Sequence, residues 1–144
     1  MLVSQILKSK SDDGIVTVEP EASVSEAASL LAARRIGAVI VSSDGKTALG
    51  ILSERDIVRE LSKSGAGCLT ATVGSIMTAE IVGCGLSDTS DGVLASTTAG
   101  RFRHMPVVES GEMVGLISIG DVVKAQLAEL EMEKTALESM IKGF

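Results

Sequence analysis

Gly50-Ile51-Leu52-Ser53-Glu54-Arg55-Asp56-Ile57 returns later in the chain as Gly115-Leu116-Ile117-Ser118-Ile119-Gly120-Asp121-Val122. The glycine, serine and aspartate are identical in the two copies, and the equivalent aliphatic positions vary only among Ile, Leu and Val. The copies stand 65 residues apart (115 minus 50). Self-similarity at such a spacing marks a chain built from two equivalent units, neither of which buries its apolar face alone.

The repeat reaches further upstream. Val3-Ser4-Gln5-Ile6-Leu7 and Val73-Gly74-Ser75-Ile76-Met77 share the spacing of a short amphipathic turn, with Val3, Ile6 and Leu7 on one face. Each copy leads to a short extended piece, Ile15-Val16-Thr17-Val18 or Ile81-Val82-Gly83-Cys84. Pro20 closes the first of these, and Ser23-Val24-Ser25-Glu26 has the spacing of a capping box that opens a helix. Val24, Ala27, Ala28 and Leu31 form its apolar stripe, and the helix is expected to end before Gly37. Ala38–Val41 reads as a buried strand, Asp44-Gly45 as a turn, and Leu49–Leu52 as the returning strand of a hairpin. Ser53 begins the next helix, with Ile57, Val58 and Leu61 expected to face inward, and Ser62–Gly67 has the composition of a linker.

In the second half, Val24, Glu26, Leu30 and Leu31 are replaced by Ser90, Gly92, Ser96 and Thr97. Two leucines missing from a packed stripe forfeit roughly 1.5–3 kcal/mol each, and a helical glycine costs about 1 kcal/mol more. Asp88–Ala99 is therefore expected to be short, frayed or partly irregular. Met105–Val108 and Met113–Ile117 form the second hairpin around Ser110-Gly111, and Pro106 requires an edge strand or a strand start. From Ser118 the chain reads as helix nearly to its end, with Val123, Leu130, Leu137 and Phe144 at sevenfold spacing and Leu127, Met140 and Ile141 beside them. That tail calls for a partner surface.

Composition narrows the function. The 144 residues are 45% hydrophobic but only 1% aromatic, so aliphatic side chains must fill the core and hold any planar ligand. A net charge of −6 disfavours nucleic acid and anionic membrane surfaces, both of which need a basic face. The segment after Met1 is mixed in polarity and not signal-like, no apolar run spans a bilayer, and the two cysteines suit a reduced cytoplasm. His104 is the only histidine, and Cys68 and Cys84 lack neighbours at ligand spacing, so no metal site is expected.

Ser53-x-x-Asp56 and Ser118-x-x-Asp121 place a hydroxyl at a helix start and an acid three residues on, which by itself is a capping box. Arg101, Arg103 and His104 are the densest cationic cluster in an acidic chain; they read either as a solvated strand entrance or as a phosphate clamp. No assembled nucleophile and base is present, and a carboxylate at a helix N-terminus is held as the anion, the wrong direction for a general acid. The chain is read as non-catalytic.

Ile36–Val41 with Gly50–Ile57, and Arg101–Val107 with Gly115–Val122, together resemble a tandem pair of CBS (cystathionine-beta-synthase) domains, over nearly the whole chain. The resemblance implies an α/β fold of the α+β type: two pseudo-twofold-related repeats with small mixed sheets and flanking helices, plus a long C-terminal helix. The repeats would span 1–66 and 67–128, with 129–144 as a helical extension. Such a pair, a Bateman module, forms two clefts at its seam and binds adenosine-containing molecules there. NAD(H) or AMP is favoured, with ADP, ATP or S-adenosylmethionine as further possibilities.

By the same resemblance, one repeat supplies the adenine slot and the other the ribose carboxylate. Thr17, Gly37, Ala38 and Val39 are then expected to join Arg103, His104, Ser118 and Asp121 in one cleft, with His104 toward phosphate and Arg103 near the rim. Ser53 and Asp56 would join Val82, Met105 and Pro106 in the second, where Gly83 departs from the usual Thr. Arg55 reads more simply as an exposed helix charge. The implied assembly is a homodimer that senses an adenine nucleotide and regulates an unknown protein partner. The alternative is a structural interaction module with vestigial clefts, its partner recruited through the C-terminal helix.

Overall fold

The computed structural model describes residues 1–10, 15–100 and 103–142. Arg101 and Phe102 of the cationic segment, and Phe144 of the sevenfold series, lie outside the described residues. The first half runs α1 (Val3–Ser9), β1 (Thr17–Val18), α2 (Val24–Arg34), β2 (Ala38–Val41), β3 (Gly50–Ser53) and α3 (Glu54–Ser64). A 3-10 helix, Gly65–Thr70, leads to α4 (Val73–Ile76), and the second half continues with α5 (Ser90–Gly100), β4 (His104–Glu109), β5 (Glu112–Ser118) and α6 (Ile119–Ile141). The duplicated, mixed α and β architecture with a long final helix agrees with the resemblance.

β2 pairs parallel with β1 and antiparallel with β3, setting Ala38 opposite Ser53. β4 and β5 repeat that hairpin, with His104 opposite Ser118, so His104 is the counterpart of Ala38. The second copy of β1 is reduced to a parallel bridge between Cys84 and Val107. Cys84 N–H donates to the Pro106 carbonyl at 2.9 Å, and Val108 N–H donates to the Cys84 carbonyl at 2.8 Å. Pro106 itself, with no N–H to offer, takes part through its carbonyl alone.

The opening helices of the two repeats have exchanged places. Val3 and Ile6 of α1 are buried in the second half's core with Met105, Val107 and Ile117, while Val73 of α4 completes the first half's core with Val39 and Leu52. The repeated glycines make this exchange possible. A methyl group on Gly115 would lie 2.8 Å from Leu7, and one on Gly50 would lie 2.6 Å from Met77 and 2.9 Å from the Thr78 carbonyl. At Gly50 the methyl would meet backbone that must shift, whereas at Gly115 it would meet only the Leu7 side chain.

Two sequence expectations are corrected. α5 is a regular helix of 11 residues, as long as α2. Its lost leucines are offset by packing of Val93 and Thr97 in the core and by Gln126 of α6, which donates to Ser90 at 3.2 Å and to Asp91, while the Thr97 and Thr98 hydroxyls are satisfied by the Leu94 carbonyl (both 2.9 Å). Tertiary contacts here override intrinsic propensity. In α3, only Ile57 of the expected inward trio is buried; Val58 is 64% and Leu61 38% exposed. Asp56, buried beside Ile57, takes the inward place that the apolar pattern assigned to Val58.

α2 starts as expected, with Ser23 Oγ accepting the Glu26 N–H at 3.1 Å. It stops where Arg35 turns left-handed (φ 55°, ψ 46°), two residues before Gly37. No helix among the described residues is long and apolar enough to cross a membrane.

Candidate functional site

Each hairpin delivers its last residue as the N-cap of a helix, and the two junctions are built alike. Ser53 N–H donates to Asp56 Oδ2 at 2.9 Å while Ser53 Oγ accepts the Asp56 N–H at 3.3 Å. Ser118 N–H donates to Asp121 Oδ2 at 2.9 Å while Ser118 Oγ accepts the Asp121 N–H at 3.1 Å. Both are reciprocal capping boxes. The next backbone bonds tie each junction to the strand entrance beside it: Glu54 N–H to the Gly37 carbonyl at 3.0 Å, and Ile119 N–H to the Arg103 carbonyl at 2.8 Å.

Capping uses one carboxylate oxygen and leaves the other for different work in the two copies. Asp56 Oδ1 accepts from Arg59 at 3.2 Å and from Thr78 Oγ1 at 3.4 Å, and the residue is 5% exposed. Asp121 Oδ2 also takes the Lys10 ammonium at 2.9 Å, and Oδ1 accepts no hydrogen bond among the described residues. Lys10 is held by a second bond, to the Leu116 carbonyl at 2.7 Å. Burial pushes the Asp121 carboxyl up, but the Ser118 N–H and Lys10 outweigh it and hold the carboxyl below its ordinary value.

Two cavities flank these junctions. The first, of about 370 Å³, brings together Gly37 and Ala38 from the first repeat with His104, Ser118 and Asp121 from the second. Lys10 and Arg35 complete its charged lining. The second, of about 450 Å³, brings Ser53 and Asp56 together with Val82. Its lining charges are Arg55, Arg59 and Arg103 against Glu54, Asp56 and Glu80.

The remaining predicted residues lie elsewhere. Val39 is fully buried in the first core, and Thr17 lies on β1 opposite Ile40; neither lines the first cavity. Met105 is buried in the second core, Pro106 faces Leu116 across the hairpin, and neither lines the second cavity. Arg103 lines the second cavity, not the first, and Arg55 lines it too.

His104 and Gly37 line both cavities and form the wall between them. The imidazole Cε1 and Nε2 lie 3.5 Å from where a methyl on Gly37 would stand. Burial lowers the His104 pKa; Asp121 and Glu54 oppose this, and Lys10 and Arg103 add to it. The ring is therefore neutral at pH 7, with one nitrogen donating and one accepting.

Lys10 is the main residue that sequence reasoning missed, although a signal existed. The register that aligns Leu7 with Met77 aligns Lys10 with Glu80 (both pairs 70 apart), and these two residues line opposite cavities with opposite charge.

The two halves thus each lend a Ser-x-x-Asp cap to a cleft walled in part by the other. The chain belongs to the CBS-domain family, whose pattern matches residues 3–63 and 73–128. Members of this class are non-catalytic regulatory domains. The chain is 30% identical over 148 residues to CBS domain-containing protein CBSX3, mitochondrial, of Arabidopsis thaliana, covering 98% of this chain and 72% of that protein. It is similar in structure to a CBS-domain containing protein of Agrobacterium tumefaciens (44% identity, TM-score 0.83, 88% of this chain and 99% of that one). A CBS domain protein from Pyrobaculum aerophilum, complexed with AMP, has 26% identity and a TM-score of 0.77, over 92% of this chain and 99% of that one. The chain spans about a quarter of some longer relatives, such as CBSCBSPB5 of Arabidopsis thaliana (24%).

Proposed function

We propose that the first cavity binds a phosphorylated adenosyl ligand, NAD(H) or AMP, and that the module reports its occupancy to a protein partner. The observation that carries this reading is the free Asp121 Oδ1 in a cavity that also holds Lys10 and His104. Ribose hydroxyls donate to Oδ1, Ser118 holds the carboxylate in place, and the base lies against the aliphatic surface at Gly37 and Ala38. Lys10 and His104 face the phosphate, the ammonium as a point charge and the neutral imidazole as a donor. The AMP complex of the Pyrobaculum relative supports the ligand class.

The second cavity is the weaker candidate, since Arg59 and Thr78 already occupy the outer oxygen of Asp56. In this reading the repeats are residues 1–66 and 67–128, residues 129–144 extend the second, and the module works in the cytoplasm as a homodimer.

Calorimetry with adenosine, AMP, ADP, ATP, NAD, NADH and S-adenosylmethionine tests the assignment. At 100 times its dissociation constant, a ligand stabilises the fold by about 2.7 kcal/mol, visible as a raised melting temperature. Asp121→Ala is expected to abolish the effect. Absence of any heat or thermal shift with every adenosyl compound at millimolar concentration overturns the proposal.

A further inference from the structure

We propose that His104 couples the two cavities: with its ring neutral, an anionic ligand fills only one of them at a time, and with its ring protonated both are filled. The inference deepens the reading of the first cavity as a phosphate site and rests on it.

The repeat provides one imidazole for two cavities. The counterpart of His104 in the first half is Ala38, which offers no polar side chain and lines the first cavity only. His104 lines both, and the ring edge that carries Cε1 and Nε2 faces Gly37, the other residue common to the two linings. Gly37 contributes no side chain. Among the described residues, the imidazole is therefore the one side chain that both cavities share.

No hydrogen bond from the described residues holds either ring nitrogen; burial and the surrounding charges set its titration. Those charges come in pairs. From the first cavity, Asp121 of α6 favours the protonated ring and Lys10, after α1, opposes it. From the second, Glu54 of α3 favours it and Arg103, just before β4, opposes it. The remaining charges of the two linings are Arg35 in the first, and Arg55, Asp56, Arg59 and Glu80 in the second. Each side thus presents the ring with one carboxylate and one cation, and an added anion on either side tips the balance toward protonation.

A neutral imidazole has a single N–H, and one ligand phosphate takes it. A second anion, in the other cavity, meets a nitrogen lone pair or a donor already engaged, and is repelled by the first anion. Protonation removes the first obstacle and offsets the second, because the imidazolium donates from both nitrogens and adds a positive charge to the shared wall. Arg55 and Arg103 supply further countercharge on the second side. The second anion therefore binds with uptake of a proton. By linkage, its affinity falls about tenfold for each pH unit above the pKa of the singly occupied form.

Titration calorimetry of the full chain with AMP tests the coupling at about pH 6 and about pH 8.5, on either side of the ordinary histidine range. Two AMP per chain are expected at the lower pH and one at the higher. His104→Gln, whose amide stays neutral throughout, is expected to bind one AMP at both. His104 is the only histidine, so its imidazole NMR signals report the event without a substitution, and its pKa is expected to rise on addition of AMP. Equal stoichiometry at the two pH values, fewer AMP at the lower pH, a His104→Gln protein that follows the wild type, or a His104 pKa that bound AMP leaves unchanged overturns the coupling while the first-cavity reading stands. Binding of neither AMP nor NAD at either pH overturns the first-cavity reading, and the coupling with it.

Discussion

Lys10 Nζ lies 2.9 Å from Asp121 Oδ2, joining the end of α1 to the cap of α6 across 111 residues of sequence (121 minus 10). The same carboxylate oxygen accepts the Ser118 N–H, whereas Oδ1 accepts no hydrogen bond among the described residues, and Asp121 lines the first cavity. At the first half's junction Glu80 stands in the position equivalent to Lys10, and the cation on Asp56 is instead Arg59 of the same helix.

Lys10→Met is therefore expected to weaken AMP by about tenfold, a little over 1 kcal/mol, while leaving adenosine almost unchanged. Calorimetric titration of both ligands against both proteins checks this. An equal loss for AMP and adenosine would show that Lys10 serves the carboxylate and not the phosphate.

The same ion pair has a consequence in acid. The Asp121 pKa is lowered in the folded chain, so its contribution to stability is present above the ordinary value of 3.8 and is lost as pH falls through the folded value. Urea midpoints measured on the acid limb are expected to fall less steeply with decreasing pH in Lys10→Met than in the wild type.

His104 acts in the same direction at higher pH. Its folded pKa lies below 6.5, so the unfolded chain takes up the proton first. The stabilisation is full above 6.5 and is lost as pH falls from there through the folded value. His104→Asn is expected to flatten the melting temperature across that window, and imidazole NMR titration would report the lowered pKa directly.

The two capping aspartates are expected to separate stability from binding. Asp56→Ala removes a buried acceptor serving Ser53, Arg59 and Thr78, and should cost about 2–3 kcal/mol. Asp121→Ala, at a more open site, should cost about 1 kcal/mol of stability and the ligand. Chemical unfolding and calorimetry on the same preparations test the contrast.

Gly50→Ala and Gly115→Ala should differ even though the glycines are equivalent in the repeat. At Gly50 the added methyl meets the Thr78 backbone carbonyl as well as Met77, whereas at Gly115 it meets only the end of the Leu7 side chain. Overpacking costs of about 3 and 1 kcal/mol are expected, respectively, read from urea unfolding.

Local chemistry by itself determined the duplication, both hairpins, and the Ser-x-x-Asp caps of α3 and α6. Alternating aliphatics, turn residues and a hydroxyl three residues before an acid act over a few positions, wherever the chain later goes. Family resemblance added that a cap from one repeat shares a cleft with the strand entrance of the other, and Gly37 and Ala38 do meet Ser118 and Asp121 in one cavity.

Tertiary structure decided the rest, because it depends on contacts between distant segments. α5 is regular because α6 and the core hold it, despite residues that locally favour fraying. α1 and α4 exchange cores because Gly50 and Gly115 leave room for Met77 and Leu7. The two Ser-x-x-Asp caps are alike in sequence, and only their neighbours distinguish them. Arg59 and Thr78 close off Asp56, while Lys10 holds one oxygen of Asp121 and leaves the other open.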